Sequence, residues 1–196
     1  MGGRVTRFVK KRVAIAAISA CLLIPTGAFA YQALLADDLY GSFDHLKKHV
    51  ASATMESYLL VDAKLNQAKG ELGQEQYEQF KELLNVFIDA KLEYGDKNGN
   101  VDYSQVPAAQ LEEIKAAMYD IQPYFDTLNG LPSSKKVLTE EEYEQYIQAL
   151  MTYESTMAQI GISIPPEIDR IPADLQKPFI KAQEYLIFVN EKQINN

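Results

Sequence analysis

The chain has 196 residues, 47% of them apolar and 23% charged, a composition inside the globular range and a length sufficient for one core of useful size. Charge is unevenly placed: five of the 19 basic residues, Arg4, Arg7, Lys10, Lys11 and Arg12, precede residue 13 and none of the 27 acids does, leaving 14 bases against 27 acids, a formal −13, beyond it. A body that acidic is repelled by phosphate backbones and gains nothing from counterion release, so charge argues against a nucleic-acid partner.

The cationic stretch runs straight into Val13–Ile24, twelve uncharged and mostly apolar residues, then Pro25-Thr-Gly-Ala-Phe-Ala30. The pattern predicts an export segment over residues 1–31 and an extracytoplasmic domain over 32–196. Three forms of that segment stay open. Pro25 and Gly27, followed by small residues at Ala28 and Ala30, fit cleavage after Ala30 and secretion. The uncharged run from Val13 to Tyr31 is 19 residues, about 28 Å as a helix, enough for a single-pass anchor across a hydrocarbon core of ~30 Å. Ile18-Ser-Ala-Cys21 is similar to a lipobox, although the apolar Leu22-Leu-Ile24 is a poor start for a lipoprotein. In each form the cationic end stays inside and the rest lies outside. Cys21 is the only cysteine, so no disulfide can staple the exported body and a packed core must hold it.

Beyond residue 31 apolar positions recur at steps of three and four, the spacing of one helix face. A first helix or helix pair is predicted from Asp38 to Lys69, with Leu39, Phe43, Leu46 and Val50 one turn apart and Gly41 interrupting its start. A second, from Gly73 to Tyr94, carries the clearest stripe: Tyr77, Phe80, Leu84, Phe87, Ile88 and Leu92. A third starts at Pro107, runs through Leu111, Ile114, Met118, Ile121, Phe125 and Leu128, stops at Gly130, and is expected to kink at Pro123. Leu131–Lys136 reads as a loop. Thr139 then opens a capping box with Glu142 on a helix ending near Gly161. Ile164–Pro172 is too proline-rich for regular structure, and a last helix from Ala173 to Lys192 turns Leu175, Phe179, Leu186 and Val189 inward. The expected fold is all-α: a bundle of five or six helices after an N-terminal apolar helix.

Leu72-Gly-Gln-Glu-Gln-Tyr-Glu-Gln-Phe80 and Leu138-Thr-Glu-Glu-Glu-Tyr-Glu-Gln-Tyr146 echo each other at an offset of 66 residues. Two readings compete, duplication of a hairpin and two helix starts meeting the same capping and core demands, with the second preferred on the sequence alone. The signposts of a tetratricopeptide array are missing.

Residues 95–107, "GDKNGNVDYSQVP", raise the question of a calcium loop. An EF-hand needs oxygen ligands at positions 1, 3, 5, 7 and 9, a glycine at 6 and a bidentate glutamate at 12. Asp96, Asn98 and Asn100 fill the first three, but Val101 stands at 6, Asp102 follows early, and Gln105 occupies the place where a shortened loop would put its carboxylate. The competing reading is a helix-to-helix turn in which Asn98-Gly99 supplies the left-handed conformation and the Asp and Asn side chains bond nearby amides. No metal is assigned.

The other candidates are weighed similarly. His45 and His49, at i and i+4, share a helix side, with Asp38 two turns earlier as a conceivable third ligand; Lys47 and Lys48 between them favour a solvated flank. Glu112-Glu113 and Glu140–Glu142 sit at helix starts, where acids complement the dipole. Of twelve tyrosines, Tyr77, Tyr143 and Tyr146 fall on core stripes, leaving Tyr94, Tyr103 and Tyr124 as candidates for a polysaccharide surface. No Gly-x-Ser-x-Gly accompanies either histidine, so no catalytic residue, cofactor or enzymatic activity is expected.

Lys11–Tyr31, "LYGSFDHLKKHV", "KLEYGDKNGNVDYSQVP", "IQPYFDTLNG" and Gln148–Glu154 together carry a likeness over nearly the whole chain. It resembles the negative effectors of extracytoplasmic-function sigma factors from Gram-positive bacteria. The resemblance implies a cytoplasmic arm that holds a sigma factor inactive, one membrane segment, and an exterior all-helical domain sensing envelope conditions through protein or ligand contact. Only twelve residues precede Val13, too few to wrap a sigma factor, so no sigma-binding residue is carried over. The alternative is a secreted or anchored binding protein with a weak calcium or polysaccharide site.

Overall fold

The computed structural model describes residues 34–162 and 166–195, so the apolar leader with Cys21 and the cleavage and lipobox motifs lie outside the described residues. The described chain is all-α: α1 (Leu35–Tyr40), α2 (Phe43–His49), α3 (Met55–Leu72), α4 (Gln74–Tyr94), α5 (Ala108–Leu128), α6 (Ser134–Val137), α7 (Glu140–Ile160) and α8 (Ala173–Ile194). Extended pairing among the described residues is limited to one isolated antiparallel bridge, Gly95 with Val101. None of the described helices is long and apolar enough to cross a membrane.

Eight helices replace the expected five or six because one predicted segment divides into three and one predicted loop contains a helical turn. The Asp38–Lys69 stretch breaks at Gly41, which takes φ 74°, and Ser42 recaps the chain by accepting from the His45 amide. It breaks again after His49, where the Lys47 ammonium donates to the carbonyls of Ala51 (2.6 Å) and Ala53 (2.7 Å), and Thr54 with Ser57 forms a reciprocal capping box. The Leu131–Lys136 loop contains the single turn α6, nucleated by the Asp126 carboxylate, which accepts from both the amide and the hydroxyl of Ser134 at 2.6 Å. The proline-rich approach to α8 includes a 3-10 turn, Ile168–Arg170.

Elsewhere local signals and structure agree. Thr139 and Glu142 cap α7 reciprocally, and Gly161 ends it at φ 66° and ψ 37°. Pro123 sits inside a continuous α5; its missing N–H leaves the Tyr119 carbonyl without a helical donor, and the Tyr143 hydroxyl of α7 donates to that carbonyl at 2.7 Å.

The buried side chains form two apolar clusters. The N-terminal one joins α1–α4 and Ile121 through Ala36, Tyr58, Leu65, Tyr77, Phe80 and Ile88; the C-terminal one joins the later helices through Tyr143, Ile147, Phe179, Leu186 and Val189. Phe87 packs against both.

The echo in the sequence extends far beyond the two helix starts. α4 and α7 both span 21 residues, start at 74 and 140, and stop at glycines, Gly95 and Gly161. Each is followed by a 3-10 turn, then Val106-Pro107-Ala108 or Ile171-Pro172-Ala173 opening α5 or α8. Several buried positions correspond, Tyr77 with Tyr143, Phe80 with Tyr146, Val106 with Ile171, Ile114 with Phe179, Ala117 with Ala182 and Ile121 with Leu186, whereas the buried Leu84 and Ile88 fall opposite the half-buried Leu150 and Glu154. Capping demands act on one turn only and do not reach across a connection into a second helix. The match is that of a repeated helical hairpin, the reading the sequence alone had placed second.

Candidate functional site

The 95–107 loop is where three parts of the molecule meet. Asp96 Oδ1 accepts from the amides of Asn98 (2.8 Å) and Asn100 (2.9 Å), and the Gly99 amide donates to the Asp96 carbonyl at 2.8 Å with Gly99 at φ 79°. An Asx-turn of this kind spends the Asp96 oxygen that would head a calcium site on the loop's own amides. The Asn100 side-chain amide donates to the Ile162 carbonyl at 2.9 Å, and Asp102 Oδ1 accepts from Ser104 N, Ser104 Oγ and Gln159 Nε2. These contacts point the candidate ligands Asn98, Asn100 and Asp102 at separate partners.

A positive charge already occupies the loop's inner side. Lys91 Nζ donates to the Gly99 carbonyl at 2.9 Å and pairs with Glu154 of α7. The Glu154 carboxylate also accepts from the Val101 amide (3.3 Å) and the Tyr103 hydroxyl (2.9 Å). Burial first, then the Glu154 charge and its hydrogen bond, push the Tyr103 phenol far above its ordinary range, so it stays a donor at every relevant pH. On the other side the Ser52 amide, in the α2–α3 connection, donates to the Lys97 carbonyl at 3.2 Å, and Val50 packs over Gly99. The loop thus ties the N-terminal helices to α4 and α7. Calcium takes six to eight oxygens; among the described residues no group of three or more His, Cys, Asp or Glu side chains is placed to hold a metal.

The remaining candidates separate in space. His45 and His49 lie side by side on exposed α2, ring centres 5.1 Å apart, whereas Asp38 turns to Lys81 at 3.9 Å. Tyr103 is buried, Tyr124 donates to Gln79 and packs on Phe80, and Tyr94 is raised by its bond to Glu93, so the three tyrosines engage different neighbours. A cleft between Leu65, Ala68, Phe80, Leu84, Phe125 and Leu128 holds about 30 Å³, room for about one water and too little for a ligand.

Sequence reading missed a buried polar node. Asp126 Oδ2 takes both Ser134 donors, Oδ1 accepts from Gln193 Nε2 at 2.8 Å, and Gln193 also donates to the Pro132 carbonyl at 2.8 Å. Burial raises the Asp126 carboxyl, against the lowering by its Ser134 and Gln193 bonds. Glu142 is held below its usual range by Lys192 of α8 and by its bond with the Thr139 amide. Glu154 and Gln193 are far in sequence from Lys91 and Asp126, and only the repeat offset hinted that α4 and α7 are related.

No curated protein matches the chain. Residues 33–192, nearly all of the described helical body, match the family described as Domain of unknown function (DUF3600), and the chain belongs to that family.

Proposed function

We propose that this chain is the exterior helical module of an anti-sigma-type negative effector, held at the cell membrane by an apolar N-terminal helix and acting without catalysis through contact with a protein or ligand outside the membrane. The observation that carries this reading is the order of its parts. A cationic stretch and the 19 uncharged residues Val13–Tyr31 lead, three residues on, into a thiol-free acidic body whose first helix begins at Leu35. The physical coupling between the two is short. Just past the apolar run, the Ala36 amide donates to Asp62 Oδ1 at 3.1 Å and Asp37 Oδ1 accepts from the Tyr58 hydroxyl at 2.5 Å, so α1 is tethered to α3 by two bonds. A load or rotation applied at the membrane is delivered first to those bonds, and from α2–α3 to the 95–107 loop through Ser52 and Val50.

Deleting residues 34–195 in the native cell and measuring transcription from promoters of extracytoplasmic-function sigma factors tests the regulatory half. A rise is the expected result, and unchanged transcription rejects it. Mass spectrometry of the mature N-terminus tests the anchor: a chain retaining Arg4 spans the membrane, while one starting at Tyr31 is a secreted binding protein.

A further inference from the structure

We propose that His45 and His49 form a two-imidazole site for a borderline divalent transition-metal ion, zinc being the representative case. The inference stands on α2 and the α1–α2 turn and is independent of the anchored reading. Three observations carry it. The two rings are neighbours on one turn, with centres 5.1 Å apart and planes at 57°. With each Nε2 about 2.1 Å from a zinc ion and the ring centre about 1.2 Å behind the nitrogen, a tetrahedral angle sets two ring centres about 5.4 Å apart. The observed separation lies within about 0.3 Å of that value, so a small turn of the exposed rings brings both onto one ion.

The second observation is orientation. His45 Nδ1 lies 2.9 Å from the Tyr40 carbonyl oxygen, which can only accept, so Nδ1 carries the proton and the neutral ring presents the Nε2 lone pair. A ring N–H bonded to a backbone carbonyl is the usual outer support of a metal-bound histidine: it fixes the tautomer and the ring plane. That support comes from the turn at Gly41, where α1 ends with φ 74° and lets the Tyr40 carbonyl face the following helix.

The third observation concerns charge. Of the two lysines between the rings, Lys47 at i+2 turns its ammonium to the Ala51 and Ala53 carbonyls, and Lys48 at i+3, the cation nearest the histidine face, is exposed to water that screens it. Both histidines are exposed, so water can fill the remaining coordination positions. Imidazole nitrogens select zinc, copper(II) or nickel over calcium and magnesium, which demand oxygen.

The test is calorimetric titration of the full-length protein in detergent micelles with zinc chloride at pH 7.5. One zinc per chain is expected, weakened at least ten-fold by either His45→Gln or His49→Gln, with circular dichroism unchanged because both side chains are exposed. Protons compete with metal for imidazole nitrogen, so the heat disappears at pH 5. Absence of zinc uptake, or uptake that both variants retain, overturns the proposal. Because the chain has only two histidines, a second measurement needs no variant: substoichiometric copper(II) should broaden both imidazole proton resonances together, and broadening of one alone or of neither overturns it.

Discussion

The two apolar clusters solve the same packing problem with different reinforcement. The C-terminal cluster is belted by polar clasps between distant helices: Asp126 with Ser134 and Gln193, Glu142 with Lys192, Glu154 with Lys91 and Tyr103. The N-terminal cluster has short α1 and α2, the cleft between α3, α4 and α5, and the buried Tyr77 hydroxyl with no hydrogen-bond partner. Burial of apolar area sets the strength of each half, but the clasps decide which half yields first. The difference makes the C-terminal half the stiffer one and the N-terminal half, where bonds to Asp62 and Tyr58 tie α1 to α3, the more compliant.

The largest expected effect lies in the reinforced half. Phe179 is fully buried and stacks on Tyr153 at 5.0 Å, so Phe179→Ala should cost about 3–5 kcal/mol by denaturant titration. A loss under 1 kcal/mol would show that this cluster collapses around the gap and is less rigid than argued. Next is Glu154→Ala, which leaves the Val101 amide, the Tyr103 hydroxyl and the Lys91 ammonium short of an acceptor, for about 2–3 kcal/mol. It should also raise hydrogen exchange at Val101 and in α2, since the loop joins both; exchange raised at Val101 alone would cut the N-terminal half out of the clasp.

Smaller effects sharpen the contrast from the other side. Tyr77→Phe removes a buried hydroxyl that has no partner and should leave stability unchanged or raise it by about 1 kcal/mol. A loss instead would place a bridging water there. The smallest effect is a slope. A carboxyl raised in the folded state contributes stability that is present below its unfolded pKa and is lost as pH rises through the folded one, so wild type should lose ground to Asp126→Asn as pH rises above the ordinary carboxylate range. The opposite slope in paired thermal melts would mean that the Ser134 and Gln193 bonds outweigh burial.

Local chemistry carried most of what was legible. The stripe Tyr77, Phe80, Leu84, Ile88 and the box Thr139–Glu142 are set by neighbours within a turn or two, and they fold as their spacing predicts. The break after His49 depends on where the Lys47 ammonium reaches, and α6 exists because Asp126 captures Ser134; neither is encoded in a local pattern. The candidate loop was legible as a turn with calcium-loop likeness, but its charge partner, Glu154, lies 63 residues from Lys91 and sits in the other copy of the repeat. The histidine pair was visible as spacing, whereas its alignment comes from the Tyr40 carbonyl, which no periodicity reports.

Gly73 is the whole connection between α3 and α4: it serves as the C-cap of one and the N-cap of the other at φ 75° and ψ 168°, a region open only to glycine. A side chain there would meet no atom within 4 Å, so the obstacle to substitution is torsional rather than steric. Relieving that torsion straightens residues 55–94 into one rod of roughly 60 Å, and two such rods complete each other's hairpins by exchanging halves. A single glycine therefore keeps this hairpin folded back on itself at that corner, and Gly73→Ala is the shortest mutational path to an intertwined dimer.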